Sequence, residues 1–453
     1  MTDLGTASSR EADLGRPRQP KNGTNNKLLA EDRPAHDWYR FVLSFPPHLV
    51  RDYVGRFGLT ARHRVLDPFC GTGTTLVECK KLGIPSVGVE ANPMARFASD
   101  VKTRWEVSPD GLLEDARRVA GAATQALEEA GTPDNEPLPL FDPSRAPARG
   151  VLRSLPTDAA GLLLKDSISP VQLHKTLILL DCLRAQPNER YRDHELLALA
   201  KALVAEIGNL HFGPEVGVRI KKHNAPVIAS WLACVGEMAD DLRSLRDMEG
   251  AAAEAHGGDA RDIEDVLGPA SVDAVITSPP YPNEKDYSRT TRLESVLFGF
   301  IRSKQDLRAF KKTLLRSNTR NVYKGDDDDA WIVDFPEIHQ LAQEIETRRI
   351  KLGKTSGFER QYKRVTTLYF GGMARHLAGL RRVLRPGARL AYVVGDQASY
   401  LQVMIRTGQL LARVAESLGY EVEGIDLFRE RLATATREWL REEILVLRWP
   451  GTS

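Results

Sequence analysis

The stretch HRVLDPFCGTGTTLVECKKLGIPSVGVE, residues 63–90, decides how this chain folds. Arg64 to Leu66 reads as a short strand, Asp67 to Thr74 as a tight loop, and Thr75 to Leu82 as a helix. Ser86 to Val89 reads as a second strand, ended by Glu90. Strand, helix and strand in so few residues make a β-α-β unit, and such units build parallel sheets.

Working outward, the upstream segment FPPHLVRDYVGRF places Leu49, Val50, Tyr53, Val54 and Phe57 at helical spacing after a Pro-Pro start. The first residues, 1–28, are rich in Gly, Asn, Ser and charge and are expected to be a disordered tail without a signal-peptide core. Residues 36–100 are expected to form the first half of an α/β domain. From 101 to 256, Ala- and Leu-rich amphipathic stretches predict a helical insertion, interrupted by GTPDNEPLPLFDPSRAPARG at 131–150. The sheet is expected to resume over 257–450, with a mixed segment at 283–364 as a second insertion. At the end, EVEGIDLF and REEILVLRW read as two strands joined by a loop, an antiparallel hairpin at the sheet edge.

The chain has 453 residues, 42% hydrophobic and 27% charged, enough for a large core. A formal net charge of +2 excludes a polycation, so any nucleic acid would have to meet a local basic surface. The four cysteines, Cys70, Cys79, Cys182 and Cys234, fit neither a zinc pattern nor a disulfide framework, which predicts a reduced, cytoplasmic setting. No apolar run approaches a membrane span.

In DPFCGTGTT, Gly71 and Gly73 stand in the turn between strand and helix, where backbone N–H groups approach a ligand closely. A P-loop would need Lys after the last glycine, and Thr74 stands there. A dinucleotide fingerprint wants Gly or Ala where Leu76 is. Glu90, ending the next strand, is placed to accept two ribose hydroxyls, or is a solvated strand-end acid. Asp259, in GGDARD, sits just past a strand end where it would accept from an adenine amino group; a plain structural acid fits as well. The second stretch of interest is VDAVITSPPYPNEKDY, residues 272–287: an apolar strand that ends in Ser278, Pro279, Pro280 and Tyr281. Two prolines stop the strand and stiffen its tip.

Together these residues resemble the amino-group DNA methyltransferases, which methylate cytosine N4 or adenine N6. DPFCGTGTT is similar to that family's S-adenosylmethionine loop, SPPY to its catalytic tetrapeptide, FPPHLVRDYV to its segment over the methionine end, and REEILVLRW to its closing strand. The resemblance implies a Rossmann-like methyltransferase fold with the antiparallel hairpin and helical insertions read above. It implies S-adenosylmethionine held by Asp67, Pro68, Phe69, Gly71, Gly73 and Thr74, with Glu90 on the ribose and Asp259 on the adenine. It assigns the target base to Ser278, Pro279, Pro280 and Tyr281. Two departures stand out: the long insertion falls between Glu90 and Asp259, and the cofactor loop precedes the catalytic loop, as in only some classes of the family.

The chemistry explains the tetrapeptide. An exocyclic amine is a poor nucleophile because its lone pair is delocalised into the ring. Acceptors at both N–H groups, the Ser278 oxygen and the Pro279 carbonyl, turn it toward tetrahedral geometry. Orientation of this kind is worth up to ~7–11 kcal/mol in well-aligned systems. Tyr281 would stack on the base for roughly 1–3 kcal/mol, comparable to the few kcal/mol a flipped base costs. Cytosine-C5 methylation needs an activated cysteine nucleophile; that family's cysteine follows proline, and none of the four here does. Serine at 278 tilts the expectation toward cytosine N4 over adenine N6.

Duplex DNA with one base flipped is the implied partner; Lys285, Arg289 and Arg292 beside the catalytic loop are the expected phosphate contacts, and an amphipathic helix that packs Leu293, Val296 and Leu297 with its basic residues in solvent fits the segment as well. Arg219, Lys221, Lys222, Arg360, Lys363 and Arg364 are further basic candidates. Asp326 to Asp329 read as a solvated acidic loop, and no metal is expected, because methyl transfer needs none. The family also implies a restriction-modification system with a cognate endonuclease, although the chain carries no recognisable nuclease motif. DPFCGTGT is similar too to tRNA guanine-N2 methyltransferases, which usually carry an RNA-binding domain before this loop; fewer than about seventy residues precede it here. A non-catalytic, cofactor-dependent nucleic-acid binder is the remaining alternative.

Overall fold

The computed structural model describes residues 28–40, 44–135, 151–212, 216–218, 221–248, 250–283, 285–432 and 437–451. The expected tail 1–28 lies outside them except for Leu28, as does most of the Pro-rich break at 131–150.

Seven strands form one sheet: β1 Val65–Asp67, β2 Ser86–Glu90, β3 Ala253–Gly257, β4 Val272–Thr277, β5 Leu384–Gly395, β6 Glu421–Leu432 and β7 Trp439–Arg448. Their order across the sheet is β3-β2-β1-β4-β5-β7-β6. Every pairing from β3 to β5 is parallel, while β7 runs antiparallel to both neighbours. The hairpin therefore forms the edge of the sheet, as expected. Its second strand slots between β5 and β6, leaving β6 as the edge.

Strand β3 differs from the expectation, which resumed the sheet only at residue 257. Its residues, AEAHG, are small or polar and mostly half-buried. As an edge strand paired only with β2, it needs no apolar run. Before the helix Thr407–Ser417, Leu401 and Gln402 adopt positive φ.

Helices cover both faces of the sheet. On one, α1 Pro47–Phe57 packs Leu49, Val50, Tyr53 and Val54 beneath β1, β4, β5 and β7, and Gly58 closes it in the left-handed conformation. The first insertion places four helices, Pro109–Glu129, Pro170–Ala185, Arg192–Ala202 and Val227–Leu245, around a core of Leu112, Val119, Leu179, Leu183, Leu197, Trp231 and Val235. That core is continuous with Met94, Phe97 and Val101 of α2 Pro93–Lys102 and with Trp38 of the N-terminal segment. The insertion thus packs on α2 and the N-terminal segment rather than directly on the strands, whose apolar side chains belong to separate clusters. The second insertion folds onto α3 Tyr362–Val383, sharing Ile332, Ile338 and Ile345 with Tyr369, Phe370 and Met373. Among the described residues no helix is long and apolar enough to cross a membrane.

Candidate active site

Strand order reverses direction at β1, which lies between β2 and β4. Loops leaving the carboxyl ends of the strands on either side of such a point part and open a crevice. The glycine loop leaves β1 and Ser278-Pro279-Pro280-Tyr281 leaves β4, so neighbouring strands deliver both to one place. A single cavity of about 690 Å³ is lined by Pro68, Phe69, Gly71, Thr74, Glu90, Asp259 and all four residues of the tetrapeptide. That is a volume typical of cofactor and small-molecule sites.

The glycine loop is shaped from below. Gly71 and Gly73 have φ of +52° and +85°. A Cβ on Gly73 would stand 2.9 Å from Ser99 Oγ and 3.1 Å from Ser99 Cα, so both backbone angle and space demand glycine. Ser99 Oγ donates to the Gly71 carbonyl at 2.9 Å, and the buried Lys102 Nζ donates to the Thr72 carbonyl at 3.0 Å. Burial pulls the Lys102 ammonium down to about 7. Glu90 fixes the loop from above: Oε2 accepts from the Gly71 amide at 2.8 Å and Oε1 from the Asn92 amide at 2.7 Å. Burial outweighs these two bonds and pushes its carboxyl up to about 7.

Asp67 and Gly73 do not line the cavity. Asp67 is fully buried, and its Oδ1 accepts from Thr277 Oγ1 at 2.6 Å and from the Phe69 amide at 3.2 Å. It bolts the end of β1 to the end of β4, and so holds the two loops together. Burial raises its carboxyl to about 6. Phe69 packs edge-on against His376 at 5.0 Å. That buried, neutral imidazole bonds the Ala260 carbonyl and the Tyr392 hydroxyl, each at 2.7 Å, and steadies the loop carrying Asp259. The Asp259 carboxylate lines the cavity while pairing with the Arg261 guanidinium.

In the tetrapeptide, Ser278 Oγ lies 3.3 Å from the Val393 carbonyl, to which it donates. This is a long contact for a hydroxyl donor, and the Ser278 oxygen keeps lone pairs with which to accept. The Tyr281 hydroxyl donates to Glu442 Oε1 at 3.0 Å, and Glu442 in turn pairs with Arg429. Burial and the Glu442 charge hold the phenol well above its usual range. The ring lies over Gly395, where an added Cβ would stand 2.8 Å from Cε2.

Three residues offered as phosphate contacts separate. Lys285 lines the cavity and Arg289 is half-buried outside it. Arg292 is buried, its guanidinium bonded to the Ser288 carbonyl, Ser288 Oγ and the Leu162 carbonyl. The short helix Arg292–Leu297 is buried on every side, which places Arg292 in the interior. Arg219 lies outside the described residues. The acidic run is no solvated loop: Asp328 is buried against Arg261 and Arg375, and Asp326 pairs with Arg316.

Sequence reasoning missed Asn283, Ser317, Asn321, Gly395, Asp396, Gln397, Arg429, Arg441 and Glu442, all lining the cavity. Gly395-Asp396-Gln397 directly follows a parallel strand, the position that signals ligand contact in such sheets. The others come from the second insertion and the hairpin, and carry no local signal.

A sheet of this order, parallel except for β7 and with its crevice at the switch point, is a Rossmann-like α/β fold. Residues 17–96 match the N6/N4 family model described as "DNA methylase". Nearly the whole chain aligns with Type II methyltransferase M.AvaI of Nostoc sp., at 23% identity over 93% of this chain and 87% of that protein. Type II methyltransferase M.BsoBI of Geobacillus stearothermophilus is also 23% identical, over 91% and 85%. A 58-residue stretch is 40% identical to a tRNA (guanine(10)-N2)-dimethyltransferase of Methanothermobacter thermautotrophicus, covering 13% of this chain and 17% of that one. These comparisons support a DNA amino-methyltransferase of the cytosine-N4/adenine-N6 family, with S-adenosylmethionine as methyl donor.

Proposed function

We propose that this protein transfers the methyl group of S-adenosylmethionine to the N4 amino group of a cytosine flipped out of duplex DNA. The supporting observation is the shared cavity: the glycine loop and Ser278-Pro279-Pro280-Tyr281 face the same space.

The residues suit the cofactor. Glycines at 71 and 73 open the loop, and Glu90 stands at the end of β2 with its carboxylate turned toward that loop. Pro68, Phe69, Gly71 and Thr74 would hold the methionine side, Glu90 the ribose and Asp259 the adenine. When bound, the cofactor supplies an electrophilic methyl on a sulfonium. The rest falls to the chain. Ser278, its proton directed at Val393, accepts one amine hydrogen through its lone pairs. The Pro279 carbonyl accepts the other, held by two consecutive prolines. Tyr281 stacks on the base, its ring fixed by Glu442 and Gly395. No thiolate takes part: Cys70, the cysteine at the cavity, is buried and its thiol is pushed far above the usual range.

Serine at 278 favours cytosine N4; adenine N6 is the alternative on the same machinery. A cognate restriction endonuclease belongs to the same proposal. Sequencing DNA from cells expressing the protein, with detection of N4-methylcytosine and N6-methyladenine, identifies base and context together. N4-methylcytosine at a defined site is expected. N6-methyladenine would replace the cytosine assignment, and methylation of tRNA but not DNA would overturn the substrate. Ser278→Ala and Tyr281→Ala should each abolish most transfer while leaving cofactor binding intact. Undiminished transfer in a Pro279/Tyr281 double variant would remove the catalytic assignment.

A further inference from the structure

The two insertions differ in charge and in what they reach. Residues 101–256 carry 18 Lys and Arg against 23 Asp and Glu, whereas residues 283–364 carry 18 against 13. No residue of the first lines the cavity, while Lys285, Thr313, Leu315, Ser317 and Asn321 of the second do. Acids of the second insertion pair with arginines of the α/β body: Asp328 with Arg261 and Arg375, and Glu337 with Arg413. The positive excess is densest at 348–364, where seven Lys and Arg meet a single acid, Glu359. Lys351, Lys354 and Arg360 are exposed there. Lys354 meets Glu359 at 3.5 Å, an exposed pair weak enough for a phosphate to displace.

That stretch lies against the cavity wall. The Phe358 ring sits 5.6 Å from the Arg320 guanidinium, next to Asn321. Tyr362 stacks on Tyr400 at 4.8 Å, and the Tyr400 hydroxyl donates to the Ser317 carbonyl at 2.7 Å. Arg348 donates to Gln402 Oε1 at 3.1 Å, close in the chain to Ser399, which also lines the cavity. We propose that Lys351, Lys354 and Arg360 form a clamp for the phosphates of duplex DNA that flank the extruded base. The inference rests on the reading of the cavity as a pocket for a flipped base. Charge complementarity selects the occupant. A base entering the cavity stays attached to its backbone, so anionic phosphates on both sides must pass beside this wall. Contacts of this kind hold a duplex in register without reading its sequence. The first insertion, net negative and absent from the cavity lining, is assigned no DNA contact.

The test measures binding of a fluorescein-labelled duplex, containing the methylated site found by sequencing, over a range of salt concentrations with cofactor present. A Lys351→Ala/Lys354→Ala/Arg360→Ala variant is compared with wild type and with Arg117→Ala/Arg190→Ala/Arg246→Ala, which removes three exposed arginines of the first insertion. In the first variant the slope of log affinity against log salt is expected to flatten by about 0.9 for each contact removed. In the second it should keep its wild-type value. The loss in the first variant should be the same on a duplex of scrambled sequence, as phosphate contacts require. Its methyl transfer should show a raised KM for DNA, with kcat, cofactor affinity and melting temperature unchanged. An unchanged slope, or equal flattening in both variants, overturns the clamp while leaving the catalytic reading standing. A wild-type protein that neither binds nor methylates duplex DNA overturns both.

Discussion

Tyr281 shows how a reactive-looking side chain is made a fixed surface. Its hydroxyl is occupied by Glu442 and its ring edge lies where a Cβ of residue 395 would be. Replacing Gly395 with Ala forces the ring aside, because 2.8 Å is far inside van der Waals contact. The expected outcome is a large fall in kcat with little change in cofactor affinity, measured by single-turnover transfer and calorimetry. Glu90 gives a pH prediction. Its carboxyl is raised from 4.5 to about 7 in the fold, so the folded state holds a proton the unfolded chain has released. That contribution is fully present below about pH 4.5 and is lost as pH rises through about 7. Asp67, raised to about 6, behaves the same way in a lower window. The melting temperature of cofactor-free wild type should therefore fall relative to Glu90→Gln between pH 5 and 8. Parallel curves would show that Glu90 does not titrate there. Cofactor affinity should rise over the same range, because the ionised carboxylate is the stronger acceptor for ribose hydroxyls.

At the scale of elements, the site depends on how helix and strand ends are finished. Asn92 caps α2, accepting from the amides of Met94 and Ala95 at 3.1 and 3.3 Å. Its amide also donates to Thr291 Oγ1 at 3.0 Å, tying the Glu90 side of the cavity to the segment that follows the tetrapeptide. Asn92→Ala removes both connections and should cost about 1–2 kcal/mol, read from urea denaturation. The β-α-β unit at 63–90 was legible because glycines, periodicity and strand length agree there. The strand end at Thr277 was legible for the same reason, since prolines follow it. Strand β3 was not, because a half-exposed edge of small residues has neither an apolar run nor clean alternation. The interior position of Arg292 was equally hidden: whether a basic helical residue meets solvent depends on what packs over that helix, here a chain segment about 130 residues away.

Over the whole molecule, the second insertion is locked to the α/β body by buried charge. Arg261 pairs with Asp259 at the cavity and with Asp328 of the insertion, and Arg375 of α3 pairs with Asp328 and Asp262. Removing Asp328 leaves the buried Arg261 with Asp259 as its remaining carboxylate partner and Arg375 with Asp262, so Asp328→Ala should destabilise the protein by about 1–3 kcal/mol. It should also loosen the cavity wall formed by residues 313–321, which is pinned by Arg261 donating to the Lys312 carbonyl. Denaturation midpoints and cofactor affinity measure both effects.

The sequence by itself determined the parts that depend on near neighbours: the glycine turn between β1 and its helix, the proline-stiffened end of β4, the acid ending β2, and the closing hairpin. Each follows from local backbone preference and hydrophobic period, which a few consecutive residues contain in full. The tertiary structure alone decided that β1 and β4 lie side by side, so that their loops share one cavity, and that β7 inserts between β5 and β6. It alone brought Glu442 under Tyr281 across 161 residues of chain, and drew Asp328 out of an apparently solvated run into a buried pair. Those outcomes rest on contacts between segments far apart in sequence, where the energy lies in the pairing rather than in either partner.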